Sequence, residues 1–172
     1  ARDGLGAELE FIGNVLAEDA KNYHAWSYRQ YVLLQHSSEA QAGEEAVAEM
    51  WSQELDYITS LLELDVRNNS AWNQRWFVVH SRPQPVTPEV LQSEVEYALK
   101  YIAMAPNNES PWSYLRGYFH GANAFSYSEC PDLKAACLRW SEGPEDPSVH
   151  AHCLLLDILS QEGSGATLGG GG

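Results

Sequence analysis

Asn22-Tyr23-His24-Ala25-Trp26-Ser27-Tyr28-Arg29, Asn68-Asn69-Ser70-Ala71-Trp72-Asn73-Gln74-Arg75 and Asn108-Glu109-Ser110-Pro111-Trp112-Ser113-Tyr114-Leu115-Arg116 are three copies of one pattern. Each has an Asn, three residues, a Trp and then a basic residue about one helical turn on. Upstream, Glu8-Leu9-Glu10-Phe11-Ile12, Glu54-Leu55-Asp56-Tyr57-Ile58 and Glu94-Val95-Glu96-Tyr97-Ala98 each begin 14 positions before the repeat Asn (22−8, 68−54, 108−94). The Trp-to-Trp period is 46 (72−26) and then 40 (112−72). Units of fixed length joined by variable linkers are the mark of stacked modules.

Within each unit the apolar residues fall in one helical stripe: Leu9, Ile12, Leu16; Leu55, Ile58, Leu62; Val95, Ala98, Ile102. The motif opens a second helix, because Asn22, Asn68 or Ser70, and Ser110 can accept hydrogen bonds from exposed N–H groups, and Pro111 suits a first helical position. Tyr31-Val32-Leu33, Phe77-Val78-Val79 and Tyr118-Phe119 then give that helix a large apolar face. The expected fold is all-α, a right-handed superhelical solenoid, or crescent, of antiparallel helical hairpins.

The repeats are expected over about 8–36, 47–81 and 88–121, with an atypical terminal unit over 131–162 and a flexible Gly-rich tail over 163–172. In that terminal unit a helix from Pro131 to Trp140 is followed by the breaker Gly143-Pro144-Glu145-Asp146-Pro147 and an apolar helix from Ser148 to about Gln161. The connection Ser37 to Ala46 reads as an exposed, mobile insertion. The connection Ser81 to Pro88 carries three prolines and reads as non-helical, with Thr87-Pro88 starting the next helix.

Composition narrows the function. With 10 Lys and Arg against 24 Asp and Glu the formal charge is −14, which argues against a nucleic-acid backbone or an anionic membrane and favours a basic partner surface. Cys130, Cys137 and Cys153 lack paired spacing, so they read as free thiols in a reducing compartment. His150 and His152 beside Cys153 do not supply the three or four converging ligands a metal needs, and no metal site is assigned. No apolar run approaches the ~20 residues of a membrane span and no leader opens the chain, so the expected location is cytoplasmic. Starting inside a repeat and ending in glycines, the sequence reads as part of a longer protein.

Trp26, Trp72 and Trp112 read as core rings repeated at equivalent sites. Arg29 and Arg75 read as tethers between repeats, reaching carboxylates such as Asp19 and Asp65, with Arg116 displaced by one residue. The first copy differs from the others: Tyr23 and His24 stand where the others have Asn69-Ser70 and Glu109-Ser110, and Lys21 precedes them. Lys, phenol and imidazole at a helix start are hydrogen-bond donors where an anion is favoured, as a phosphate ester requires. The plainer alternative is that Tyr23 and His24 cap and pack their hairpin. No phosphate-cradling Gly loop, nucleophile elbow or metal-ligand motif makes the chain catalytic by itself.

At Asp19 to Trp26, Asp65 to Arg75 and Pro106 to Gly117 the sequence strongly resembles the alpha subunit shared by protein farnesyltransferase and protein geranylgeranyltransferase type I, over about residues 8 to 160. The resemblance implies a scaffold wrapped around an obligate beta subunit. That heterodimer transfers a farnesyl or geranylgeranyl group from its diphosphate to the Cys thiolate of a C-terminal CaaX sequence. Zinc and magnesium would belong to the holoenzyme, with zinc held by the beta subunit and no cofactor bound by this chain. Asn22, Tyr23 and His24 match the positions that the family's alpha subunit lends to the diphosphate side.

The resemblance does not extend everywhere. The family's diphosphate Lys and CaaX-carboxylate Gln belong to a preceding repeat, so Lys21 inherits neither role, and the 37–46 insertion is longer than usual. Two rivals share parts of the pattern: the alpha subunit of the Rab geranylgeranyltransferase, and a non-enzymatic TPR-like protein-binding solenoid, whose signature differs from Asn-x-x-x-Trp-x-x-Arg.

Overall fold

The computed structural model describes residues 2–38, 43–121, 124–142 and 147–168, and among these every regular element is helical. The helices are α1 (Arg2–Glu18), α2 (Tyr23–Ser38), α3 (Glu44–Leu64), α4 (Asn69–Ser81), α5 (Pro88–Met104), α6 (Glu109–Tyr118), α7 (Pro131–Ser141) and α8 (Val149–Leu168). A single 3-10 turn, Tyr127–Glu129, precedes α7. Consecutive helices pair as hairpins: α1 with α2, α3 with α4, α5 with α6, α7 with α8. The chain divides into two units, Ala1–Pro85 and Val86–Gly172. In the first, α2 packs on α3 and α4; in the second, α6 packs on α8.

The stripes turn inward, with Leu9 and Leu55 half-buried at their starts. Ile12 and Leu16, Ile58 and Leu62, and Val95, Ala98 and Ile102 are all at most 2% exposed. In the first hairpin they meet Trp26, Ala25 and Val32 from the partner helix. At about 25 cal/mol per Å2, an aromatic side chain burying roughly 150–250 Å2 contributes on the order of 4–6 kcal/mol before entropy is counted. Trp72 and Trp112, each 1% exposed, are among the largest buried side chains.

One loop geometry recurs in all three motif hairpins. The repeat Asn accepts from a backbone N–H in the new helix: Asn22 from Ala25 at 3.0 Å, Asn68 from Ala71 at 3.2 Å, Asn108 from Ser110 at 3.4 Å. The Trp indole N–H donates to the carbonyl six residues back: Trp26 to Ala20 at 2.9 Å, Trp72 to Val66 at 3.2 Å, Trp112 to Pro106 at 2.8 Å. Each Trp therefore fills the core and also closes the loop before its own helix.

Several boundaries depart from the sequence expectation. Asn108, not Ser110, caps α6; Pro111 then lies in the first turn, where a missing N–H breaks no helical bond. Ser37 and Ser38 end α2 and Glu44 to Ala46 open α3, so the expected 37–46 insertion shrinks to a short connection, of which 39–42 fall outside the described residues. The second connection spans 82–87, with Thr87 accepting from Val90 N–H and Pro88 at the first helical position, as expected of that pair. Helix α8 continues to Leu168 through the expected tail, because isolated interior glycines cost only about 1 kcal/mol each and Ser164 hydrogen-bonds back to the Ser160 carbonyl. Residues 169–172 of that tail, and 143–146 of the expected breaker, lie outside the described residues.

The terminal hairpin is a variant of the same design. Ser148, fully buried, accepts from Ala151 N–H and donates to the Pro106 carbonyl that Trp112 also uses. Four residues beyond this cap stands His152 rather than a Trp, and its Nδ1 lies 2.9 Å from the Ser148 carbonyl.

Candidate functional site

The motif basic residues have specific partners. Arg29, 4% exposed, clamps Glu54 with Nε–Oε1 at 2.8 Å and Nη2–Oε2 at 2.7 Å. It also donates to the Leu9 carbonyl at 3.0 Å and lies 4.0 Å over the Tyr57 ring. Gln74 donates to the same Glu54 carboxylate at 2.8 Å and accepts from Gln30 at 3.0 Å. One guanidinium thus joins α1, α2 and α3, and the Gln74–Gln30 bridge adds α4. Burial raises the Tyr57 phenol pKa, an effect that the Arg29 charge opposes and the Glu54 charge adds to. Arg116 reaches Asp157 of α8 at 2.8 Å, beside His120 Nε2 at 3.5 Å, in a more open setting. Arg75 is buried, 6% exposed.

Asp19 is not the partner of Arg29. Its side chain folds back to accept Lys21 N–H at 3.2 Å, and Asp65 does the same with Arg67 N–H at 2.9 Å. Both are occupied in making the turn, a habit of short carboxylates in loops. The true counter-charge, Glu54, stood in the acidic segments that keep register with the motif. Glu8, Glu54 and Glu94 recur at the same place in their repeats, and Glu54 is the one that meets Arg29. Glu54 and Glu94 are 2% and 5% exposed. Glu94 accepts from Tyr114 OH at 2.6 Å, and the exposed Glu8 from Tyr28 OH at 2.7 Å.

Of the three expected site residues, Asn22 has its side-chain oxygen engaged in the cap, which leaves the amide NH2 as its remaining side-chain donor. Tyr23 is 76% exposed and His24 is exposed as well; their rings touch edge to face at 5.7 Å. Neither ring is buried in the hairpin, and the helix cap is made by Asn22. They stand side by side on the first turn of α2, beside a helix start that favours negative charge.

A cavity of about 250 Å3 opens next to them. Lys21, Tyr23, Trp26, Ser27 and Gln30 line it from the first repeat, and Ser70, Asn73 and Gln74 from the second. His24 is not in its wall. The sequence singled out Lys21 and Tyr23, but it did not show that Ser70, Asn73 and Gln74 of the second repeat close a cavity with them.

The described residues do not fit a zinc site. No group of three or more His, Cys, Asp or Glu is placed to hold a metal ion among them. Cys130 and Cys137 are buried, and burial raises both thiols, Cys137 up to about 12, whereas zinc binds a thiolate. No helix among the described residues is long and apolar enough to cross a membrane.

Tandem hairpins with a shared cap-and-indole loop, the first two fastened by a buried Arg29–Glu54 pair, define a helical-repeat scaffold. A family model described as the protein prenyltransferase alpha subunit repeat matches residues 5–36, 51–82 and 91–121, one match to each motif hairpin. The chain belongs to that family.

Two relatives are named protein farnesyltransferase/geranylgeranyltransferase type-1 subunit alpha. One, from Dictyostelium discoideum, is 39% identical over 54% of this chain and 28% of its own length. The other, from Solanum lycopersicum, is 40% identical over 40% of this chain and 19% of its own. Among solved structures, a chain of Candida albicans protein geranylgeranyltransferase-I complexed with GGPP is similar at a TM-score of 0.69 and 25% identity, covering 92% of this chain and 48% of that one. The chain thus spans less than half the length of these relatives.

Proposed function

We propose that the protein to which this chain belongs is the alpha subunit of a cytoplasmic CaaX protein prenyltransferase, active only as a heterodimer with a beta subunit. The reaction moves a farnesyl or geranylgeranyl group: the CaaX Cys sulfur bonds to the first isoprenoid carbon as the carbon–oxygen bond to the diphosphate breaks, and the diphosphate leaves. Zinc and magnesium, in this reading, are held outside this chain. Its own part is to scaffold the partner and to offer hydrogen-bond donors where the diphosphate gathers charge.

The observation that carries the site is that Tyr23 and His24 stand exposed side by side on the first turn of α2, where the other two copies carry no ring. The Asn22 amide NH2, Tyr23 OH and a His24 ring N–H are three donors on one helix turn. They are set where the helix dipole adds its own positive end. The names of both relatives favour this alpha subunit over the Rab-type one, and membership of the repeat family sets the TPR-like reading aside. The test is co-expression of the complete protein with a beta subunit of the farnesyltransferase or geranylgeranyltransferase type-1 kind. Co-purification and transfer to a CaaX peptide are expected, and a full-length protein that stays monomeric beside every such beta subunit refutes the proposal.

A further inference from the structure

The cavity between the first turns of α2 and α4 shares Tyr23 with the diphosphate side, but the rest of its wall is not used by that role. At about 250 Å3 it is smaller than the roughly 300–1,000 Å3 of pockets that enclose a drug-sized ligand, so it suits one side chain. Among the described residues Lys21 is the sole charged one in its wall and no carboxylate lines it, in a chain of net charge −14. Among the described residues the Lys21 ammonium makes no ion pair.

The opposite wall is fixed in advance. Gln74 is 1% exposed, donates to Glu54 at 2.8 Å and accepts from Gln30 at 3.0 Å, so the amide pair is held by the buried Arg29–Glu54 clamp. Ser70 and Asn73 add a hydroxyl and an amide from the second repeat. Donors that need no ordering on binding give affinity at low entropic cost. A lone ammonium matches the single charge of a carboxylate, whereas a diphosphate brings several charges to be neutralised.

We propose that this cavity is a socket for one Asp or Glu side chain of the partner subunit, and so an anchor of the assembly. The inference rests on the pairing with a beta subunit proposed above. It explains why the first two repeats place hydroxyl, amide and ammonium groups around a hollow that a hairpin scaffold does not require.

The test is the dissociation constant of the complete protein for its beta subunit. Asn73 is exposed, so Asn73→Asp leaves the helices intact by circular dichroism while putting a negative charge in the socket. Subunit Kd should rise about tenfold or more at low salt, and the gap from wild type should shrink near 1 M salt, where the screening length is about 3 Å. Lys21→Met should also raise Kd and flatten its salt dependence. Unchanged Kd for both variants overturns the socket, as does a raised KM for the isoprenoid diphosphate with subunit affinity intact, which would give the cavity to a free anion. Wild-type protein that never pairs overturns the pairing itself along with the socket, whereas a pairing wild type with indifferent variants removes the socket alone.

Discussion

Replacing Arg29 by Met strips a buried carboxylate of its counter-charge. The pair is closed to water, with side chains 5% and 1% exposed, and is held by a forked contact of 2.7 and 2.8 Å. After the change Glu54 retains Gln74 as a donor at 2.8 Å but no cation. Breaking a buried pair from one side costs about 3–5 kcal/mol. For a chain of this length each kcal/mol moves Tm by about 2–4 °C, so Arg29→Met should lower Tm by about 6–20 °C.

Neutralising the orphan recovers part of the loss. Arg29→Met with Glu54→Gln should cost less than Arg29→Met alone, because the desolvated charge is gone. The exposed pair Lys134–Glu162, 37% and 51% exposed, is the internal control; Lys134→Met should cost less than about 1 kcal/mol. Urea unfolding followed by far-ultraviolet circular dichroism reads all three. A loss below about 1 kcal/mol for Arg29→Met, or additive losses in the double variant, would refute the view that this ion pair fastens the first two repeats.

The cap and the indole can be separated from one another: Asn68→Ala should lose about 1 kcal/mol, and Trp72→Phe about 1 kcal/mol through loss of the indole N–H bond to the Val66 carbonyl, both read as shifts in urea midpoint. Thiol labelling of the native protein should reach Cys153 first, with buried Cys137 reacting only on unfolding; equal rates for the two would contradict the packing of α7 on α8. Burial raises the Cys137 thiol from 9.0 to about 12 and the Tyr127 phenol from 10.0 to about 12. These neutral groups therefore contribute stability that is fully present below about pH 9 and lost as pH rises towards about 12. Cys137→Ala with Tyr127→Phe should flatten the decline of the urea midpoint across that window.

The hairpins were legible because their signal is periodic. Stripes such as Ile58 and Leu62 report burial whatever the rest of the chain does, and a capping Asn four residues before a buried Trp marks a helix start three times over. The fastening of Arg29 was less legible, since a turn Asp and a helix Glu look alike until the backbone shows that Asp19 is spent on Lys21 N–H. Element ends also escaped the pattern: glycine and serine at 163–168 lower helix propensity without forbidding the helix. At the candidate site the sequence singled out Tyr23 and His24 by their difference from the other copies, and exposure further separates His24 from half-buried Ser70 and buried Ser110. The socket was invisible because its two walls share no local pattern.

The most direct test of the division between a common scaffold and one distinctive turn is the kinetics of His24→Ala in the full heterodimer. If His24 serves the diphosphate and not the hairpin, kcat should fall about tenfold or more, within the range for loss of a donor to developing charge, while subunit affinity and urea midpoint stay at wild-type values. Unchanged kcat, or a fall matched by loss of stability, would contradict it and return His24 to the scaffold.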